Sequence, residues 1–233
     1  MKSKIILIAY LIACAFTILS NTIGFRDGML WSKIAIVPLI AYYYLVKSNH
    51  KINYFLAGIL LSCYLGDTYI LISPNDHTVV EVACFFTAYV LLIFYLLPNF
   101  LRMKWHKYEN VLLIVSSSVA LAILAYFILS LKFEKIEIGT IMLVSYGLTL
   151  SFLMLISIVQ YFRTSTEVSF NLLFACLFFY CSDSFYVINK FYEPFFIFDL
   201  IQITTQVFSY YFLVHFFILR EQNVQSYTKI DLP

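Results

Sequence analysis

Of the chain's 233 residues, 62% are hydrophobic and only 12% are charged, with a net charge of +2 and a mean hydropathy of +0.88. So few charged side chains cannot cover the surface of a water-soluble protein of this length, and the composition implies an all-α polytopic membrane protein. The small net charge, with basic residues scattered through short connections, excludes a nucleic-acid partner.

In chain order, apolar runs occur at about 5–23, 29–46, 53–72, 79–97, 110–131, 138–161, 168–188 and 195–219, each near the ~20 residues that a helix needs to cross a bilayer. Eight transmembrane helices are therefore expected, in one integral membrane domain spanning 1–233. Breakers mark the connections: Gly24 and Gly28 after the first run, Pro74-Asn75-Asp76 after the third, Pro98 after the fourth and Pro194 before the eighth. Lys2, Lys4 and Ala13-Cys14-Ala15 give the first run a passing likeness to a signal peptide, but its apolar character continues beyond the cleavage-like site. The five cysteines lie in apolar runs without C-x-x-C spacing and read as small core residues. His50, His77 and His106 fall in connections and His215 in the last span, so no metal or other cofactor is expected.

Loop charge sets the orientation. Lys2, Lys4, Lys47, Lys51, Arg102, Lys104, Lys107, Arg163, Arg220 and Lys229 fall on the side of the N-terminus, against Arg26, Lys33, Lys132, Lys135 and Lys190 on the other. The more basic side is cytoplasmic, which puts both termini there and suits a bacterial inner (plasma) membrane.

The third span ends LLSCYLGDTYILI (60–72) and the seventh CLFFYCSDSFYVI (176–188). The two align without a gap, pairing Tyr64 with Tyr180, Gly66 with Ser182 and Asp67 with Asp183, at an offset of 116, about half the chain. That pattern implies a four-plus-four parallel repeat with halves of approximately 1–108 and 109–233. A carboxylate inside a membrane helix costs roughly 2.5–3.5 kcal/mol on insertion scales and normally faces a bundle interior or cavity. Both aspartates lie about 21–22 Å from the cytoplasmic ends of odd-numbered spans, so a pseudo-two-fold axis along the membrane normal would set them opposite each other across one cavity. Tyr64 and Tyr180, three residues earlier, share the aspartates' helix faces, and Tyr186 extends that face on the seventh span. Asp199 has a similar depth and could either join the pair or stand at the interface.

Gly66-Asp67 late in the third span and Ser182-Asp183 late in the seventh, followed by an aromatic-rich eighth, resemble the YhhN family, also called the lysoplasmalogenase family. The resemblance implies an eight-span fold and hydrolysis of the vinyl ether bond of lysoplasmalogens, lysophospholipid-type substrates drawn from membrane lipid, with Asp67 and Asp183 as the acidic pair. It also implies two departures: Tyr89 stands in the fourth span where a histidine is expected, and His215 in the last span where a glutamine is expected.

Vinyl ether hydrolysis begins with proton delivery to carbon, and two close buried carboxyls would share a proton. One would then act as acid while the other steadies the cation and activates water. An acidic pair in a two-repeat membrane protein suits a proton- or ion-coupled carrier as well, and a sensor or scaffold would leave the aspartates without a chemical task.

Overall fold

The computed structural model describes residues 2–72, 78–102, 114, 115, 117–119, 121, 122, 126, 140–192 and 194–230, and the regular elements among them are helices. They are α1 (Lys2–Thr22), α2 (Arg26–Lys47), α3 (Tyr54–Ile72), α4 (Thr78–Arg102), α5 (the described residues within 114–126), α6 (Thr140–Thr164), α7 (Glu167–Phe191) and α8 (Phe196–Ile230). Among the described residues α1, α2, α4, α6, α7 and α8 are long and apolar enough to cross a membrane. Pro74-Asn75-Asp76, His77, His106 and most of the fifth predicted span lie outside the described residues.

Local signals set the ends. Gly24 adopts φ +71° between α1 and α2, a conformation that other residues adopt only with strain. Thr166 caps α7, its hydroxyl accepting from Ser169 N at 3.2 Å while the Ser169 hydroxyl accepts from Thr166 N at 3.0 Å. Two expected breakers instead lie inside helices, Gly28 in α2 and Pro98 in α4. In apolar surroundings the unmade hydrogen bond of a proline does not end a helix, because no water competes for the rest of the backbone.

The outward faces carry large apolar side chains, such as Ile8, Ile12, Phe16 and Leu19 along α1, that a membrane would cover. Inside, Ile36, Ile59, Leu92, Phe179 and Phe216 are almost fully buried. Helix α2 packs on α1, α3 and α8; α3 also packs on α4, α4 on α6, α6 on α7 and α7 on α8. Helix α1 closes against α8, where the Tyr10 hydroxyl donates to the carbonyl of Val207.

Gly66, next to Asp67, brings α4 close. A Cβ there would meet the Phe85 ring at 3.0 Å and Cys84 Cβ at 3.3 Å, whereas one at Gly147 on α6 would meet nothing within 4 Å. Gly66→Ala is therefore expected to destabilise the protein by about 1–3 kcal/mol through overpacking, and Gly147→Ala to be neutral or slightly stabilising. Thermal unfolding in detergent compares the two; equal midpoints would contradict the close α3–α4 approach.

Candidate active site

Asp67 is 2% exposed and is held from two helices at once. Lys33 Nζ of α2, itself 6% exposed, lies 3.2 Å from Asp67 Oδ1. From α8, Gln206 Nε2 donates to the same oxygen at 2.8 Å and the Tyr210 hydroxyl donates to Oδ2 at 2.7 Å. Gln206 and Tyr210 are one turn apart, so one face of α8 supplies both donors. The aspartate is thus ion-paired and bonded through both of its oxygens. Lys33, expected among the outer loop charges, instead lies within α2 as its counter-ion; the negative charge of Asp67 draws the ammonium inward and each charge lowers the other's burial cost.

Asp183 of α7 has different neighbours. The hydroxyls of Tyr89 on α4, at 2.6 Å, and of Tyr146 on α6 both donate to Oδ2. The Tyr89 ring is fixed by Tyr146 and Phe179, at centroid distances of 5.7 and 5.3 Å. Tyr89, standing where the family resemblance suggested a histidine, is therefore a direct partner of the second aspartate.

Two cavities meet at Asp183. One, of about 90 Å³, is apolar and lies between α6 and α7, with Leu143, Gly147, Leu150, Tyr180 and Val187 among its walls. The other, of about 20 Å³, is bordered by Glu81, Tyr186, Gln202 and Gln206. Tyr146 and Asp183 border both. Glu81 is 6% exposed and accepts from the Tyr186 hydroxyl, to which Lys190 Nζ donates at 3.1 Å.

The structure does not gather all the expected residues around one chamber. Tyr180 and Asp183 border the apolar cavity, but Asp67 borders neither of the two, and Tyr64 borders a separate cavity with Pro38, Ala41 and Leu60. The cause is the asymmetry of their partners, since Lys33, Gln206 and Tyr210 enclose Asp67 whereas two tyrosines leave one side of Asp183 open. The Ser182 hydroxyl donates to the Gln202 carbonyl at 3.2 Å and so ties α7 to α8. Asp199 accepts from Asn21 Nδ2 of α1 at 2.6 Å, a separate tie between α1 and α8. His215 lies 3.3 Å from the Tyr43 hydroxyl and against the Tyr211 ring; the last-span residues bonded to Asp67 are Gln206 and Tyr210. Among the described residues no group of three histidine, cysteine or acidic side chains could hold a metal.

Sequence reasoning missed Lys33, Glu81, Tyr146, Gln206 and Tyr210. Lys33 had a signal, because it is seven residues into α2 and Asp67 is five residues from the end of the antiparallel α3. At about 1.5 Å per residue, both lie some 8–10 Å from the same ends of their helices.

Removing one partner of a buried pair leaves an uncompensated charge. Lys33→Met is expected to destabilise the protein by about 3–5 kcal/mol, and adding Asp67→Asn to recover a large part of that loss. A double-mutant cycle of detergent melts measures the coupling; additive effects would contradict the pair.

With this geometry in view, comparison with known proteins is brief. Neither a curated protein nor a solved structure matches the chain. The model of the YhhN family matches residues 29–221, a range that includes every described residue bonded to Asp67 or Asp183. Its apolar helices and this match make the chain an integral membrane protein that belongs to the YhhN family.

Proposed function

We propose that the chain is a membrane-embedded hydrolase that cleaves the vinyl ether bond of lysoplasmalogen-type lipids, with Asp183 as the acid and Asp67 as a fixed anion. The observation that carries this reading is the position of Asp183 at the wall shared by an apolar and a polar-lined cavity. A hydrocarbon chain fits the first and water fits the second, and acid hydrolysis of a vinyl ether needs both on one carboxyl.

The hydrogen bonds suit that role. Both phenols occupy Oδ2, the carbonyl oxygen of a protonated carboxyl, which leaves Oδ1–H to face a substrate. Burying a carboxylate without a cation is costly, so the neutral acid is the form that this tyrosine pair stabilises. Asp183 Oδ1–H gives its proton to the β-carbon of R–CH=CH–O–R′, and the double-bond electrons form that C–H bond. Water then adds to the oxocarbenium carbon and returns a proton to Asp183. The resulting hemiacetal collapses to the aldehyde R–CH₂–CHO and the alcohol HO–R′, so atoms and charge balance. Asp67, already neutralised by Lys33, does not need to share a proton with Asp183.

An eight-span, four-plus-four repeat is part of the same reading. Advancing helix numbers by four turns the α2–α3, α3–α4 and α2–α8 contacts into α6–α7, α7–α8 and α6–α4, each of which is present. Asp67 is accordingly held by α2 and α8, and Asp183 by α6 and α4. With Lys33 buried, the outer side keeps only Arg26, Lys132, Lys135 and Lys190, which favours cytoplasmic termini in an inner membrane.

Purified protein is expected to release fatty aldehyde from lysoplasmalogen, and Asp183→Asn to lower the rate by about 10²–10⁴-fold. Gly147→Phe, whose ring would fill the apolar cavity, should lower kcat/KM for long-chain substrate by more than about tenfold while Gly147→Ala retains activity. An unimpaired Asp183→Asn variant would overturn the mechanism. Proton-coupled flux in proteoliposomes without hydrolysis would make the protein a carrier instead.

A further inference from the structure

The side-chain amide of Gln206 is satisfied at one end only. Its Nε2 donates to Asp67 at 2.8 Å, while Oε1 is buried and has no partner, on a residue 6% exposed. The orientation is forced, because a carboxylate paired with Lys33 accepts hydrogen bonds and turning the amide over would set Oε1 against it. Gln206 borders the cavity of about 20 Å³ that also meets Glu81, Tyr186 and Asp183. A cavity needs roughly 10–15 Å³ open to a water's centre to hold one molecule, together with two to four polar partners. This one has room for a single water and too little for a larger ligand. Its polar walls supply the partners.

We infer that Gln206 Oε1 and this cavity form a binding site for one water molecule, the nucleophile of the reaction, oriented by Asp67 through the Gln206 amide. One hydrogen of the water is donated to Gln206 Oε1, which turns an oxygen lone pair toward the cavity wall formed by Asp183. When Asp183 has given its proton to the lipid's β-carbon, the water's lone pair forms the C–O bond and its second proton passes to the Asp183 carboxylate. Asp67 touches no reacting atom in this scheme and is a positioning residue. The symmetry-related aspartates thus divide the work: one moves the proton and the other aims the water. The water's role as nucleophile rests on the hydrolase reading, whereas the site itself does not.

Two measurements keep these apart. An experimental structure at a resolution that shows ordered water should place one within hydrogen-bonding distance of Gln206 Oε1; a dry cavity there overturns the site whether or not the protein is a hydrolase. Product analysis in aqueous methanol tests the role. Wild-type protein should yield little mixed methyl acetal, since a cavity of about 20 Å³ admits water more readily than the larger methanol. Gln206→Ala enlarges it, and should both slow aldehyde release by about tenfold or more and raise the ratio of methyl acetal to aldehyde at least about tenfold. A slower variant with an unchanged product ratio, or an unchanged rate, overturns the assignment. Gln206→Glu keeps the side-chain volume and, protonated beside Asp67, donates to it through its O–H while its other oxygen stays an acceptor, so it should keep that ratio low; a ratio as high as that of Gln206→Ala would count against it. If wild-type protein cleaves no vinyl ether at all, the hydrolase reading fails by itself, and the water site is decided by the structure.

Discussion

The ion pair between Lys33 and Asp67 is the constraint on which the rest of the interior depends. Two opposite charges in apolar surroundings each cost several kcal/mol to desolvate, and their attraction offsets this only when the geometry is good and the remaining hydrogen-bonding capacity is filled. Here α2 supplies the ammonium, α3 the carboxylate and α8 two further donors. Three helices must therefore keep their register for the charges to be compensated. Such a pair adds little net stability, but it penalises heavily any packing that would separate its members. It also fixes the amide of Gln206, a residue that borders the cavity next to Asp183.

From that pair follows the division between two aspartates that the sequence makes equivalent. Both lie late in their helices at matching positions; α2 and α8 hold Asp67, and α6 and α4 hold Asp183. The partners differ in chemistry, however. Asp67 meets an ammonium, a carboxamide and a phenol, which suit an anion; Asp183 meets two phenols on one oxygen, which suit a neutral acid with its other oxygen turned to a cavity. Exchanging polar residues on neighbouring helices changes what a carboxyl does without moving it.

The helices were largely legible because the membrane leaves few alternatives: apolar runs of about 20 residues mark spans whatever their neighbours are. The two aspartates were legible for the complementary reason, since an acidic residue in such a run demands compensation. What compensates them was not. Tyr146 is one of 19 tyrosines, and nothing local separates it from residues that line the lipid interface, whereas Tyr89 stands out only through the family resemblance. Gln206 lies 139 positions from Asp67, so only the packing of α8 against α2, which itself packs on α3, reveals it. Lys33 resembles a loop charge by its nearness to a helix end, yet it stands inside an apolar run at a depth that matches Asp67. Gly28 and Pro98 are breakers by rules that hold in water, where exposed backbone finds other partners, yet they lie inside α2 and α4.

The central claim is that the two carboxyls hold different protonation states at neutral pH. Infrared spectroscopy of protein carrying ¹³C at the aspartate carboxyls reports this directly, because a carboxylic acid and a carboxylate absorb in separate regions. The account predicts a carboxylic-acid band in the wild-type protein that disappears in Asp183→Asn and persists in Asp67→Asn. A band that disappears in Asp67→Asn and persists in Asp183→Asn, or the absence of any such band from the wild-type protein, would contradict it.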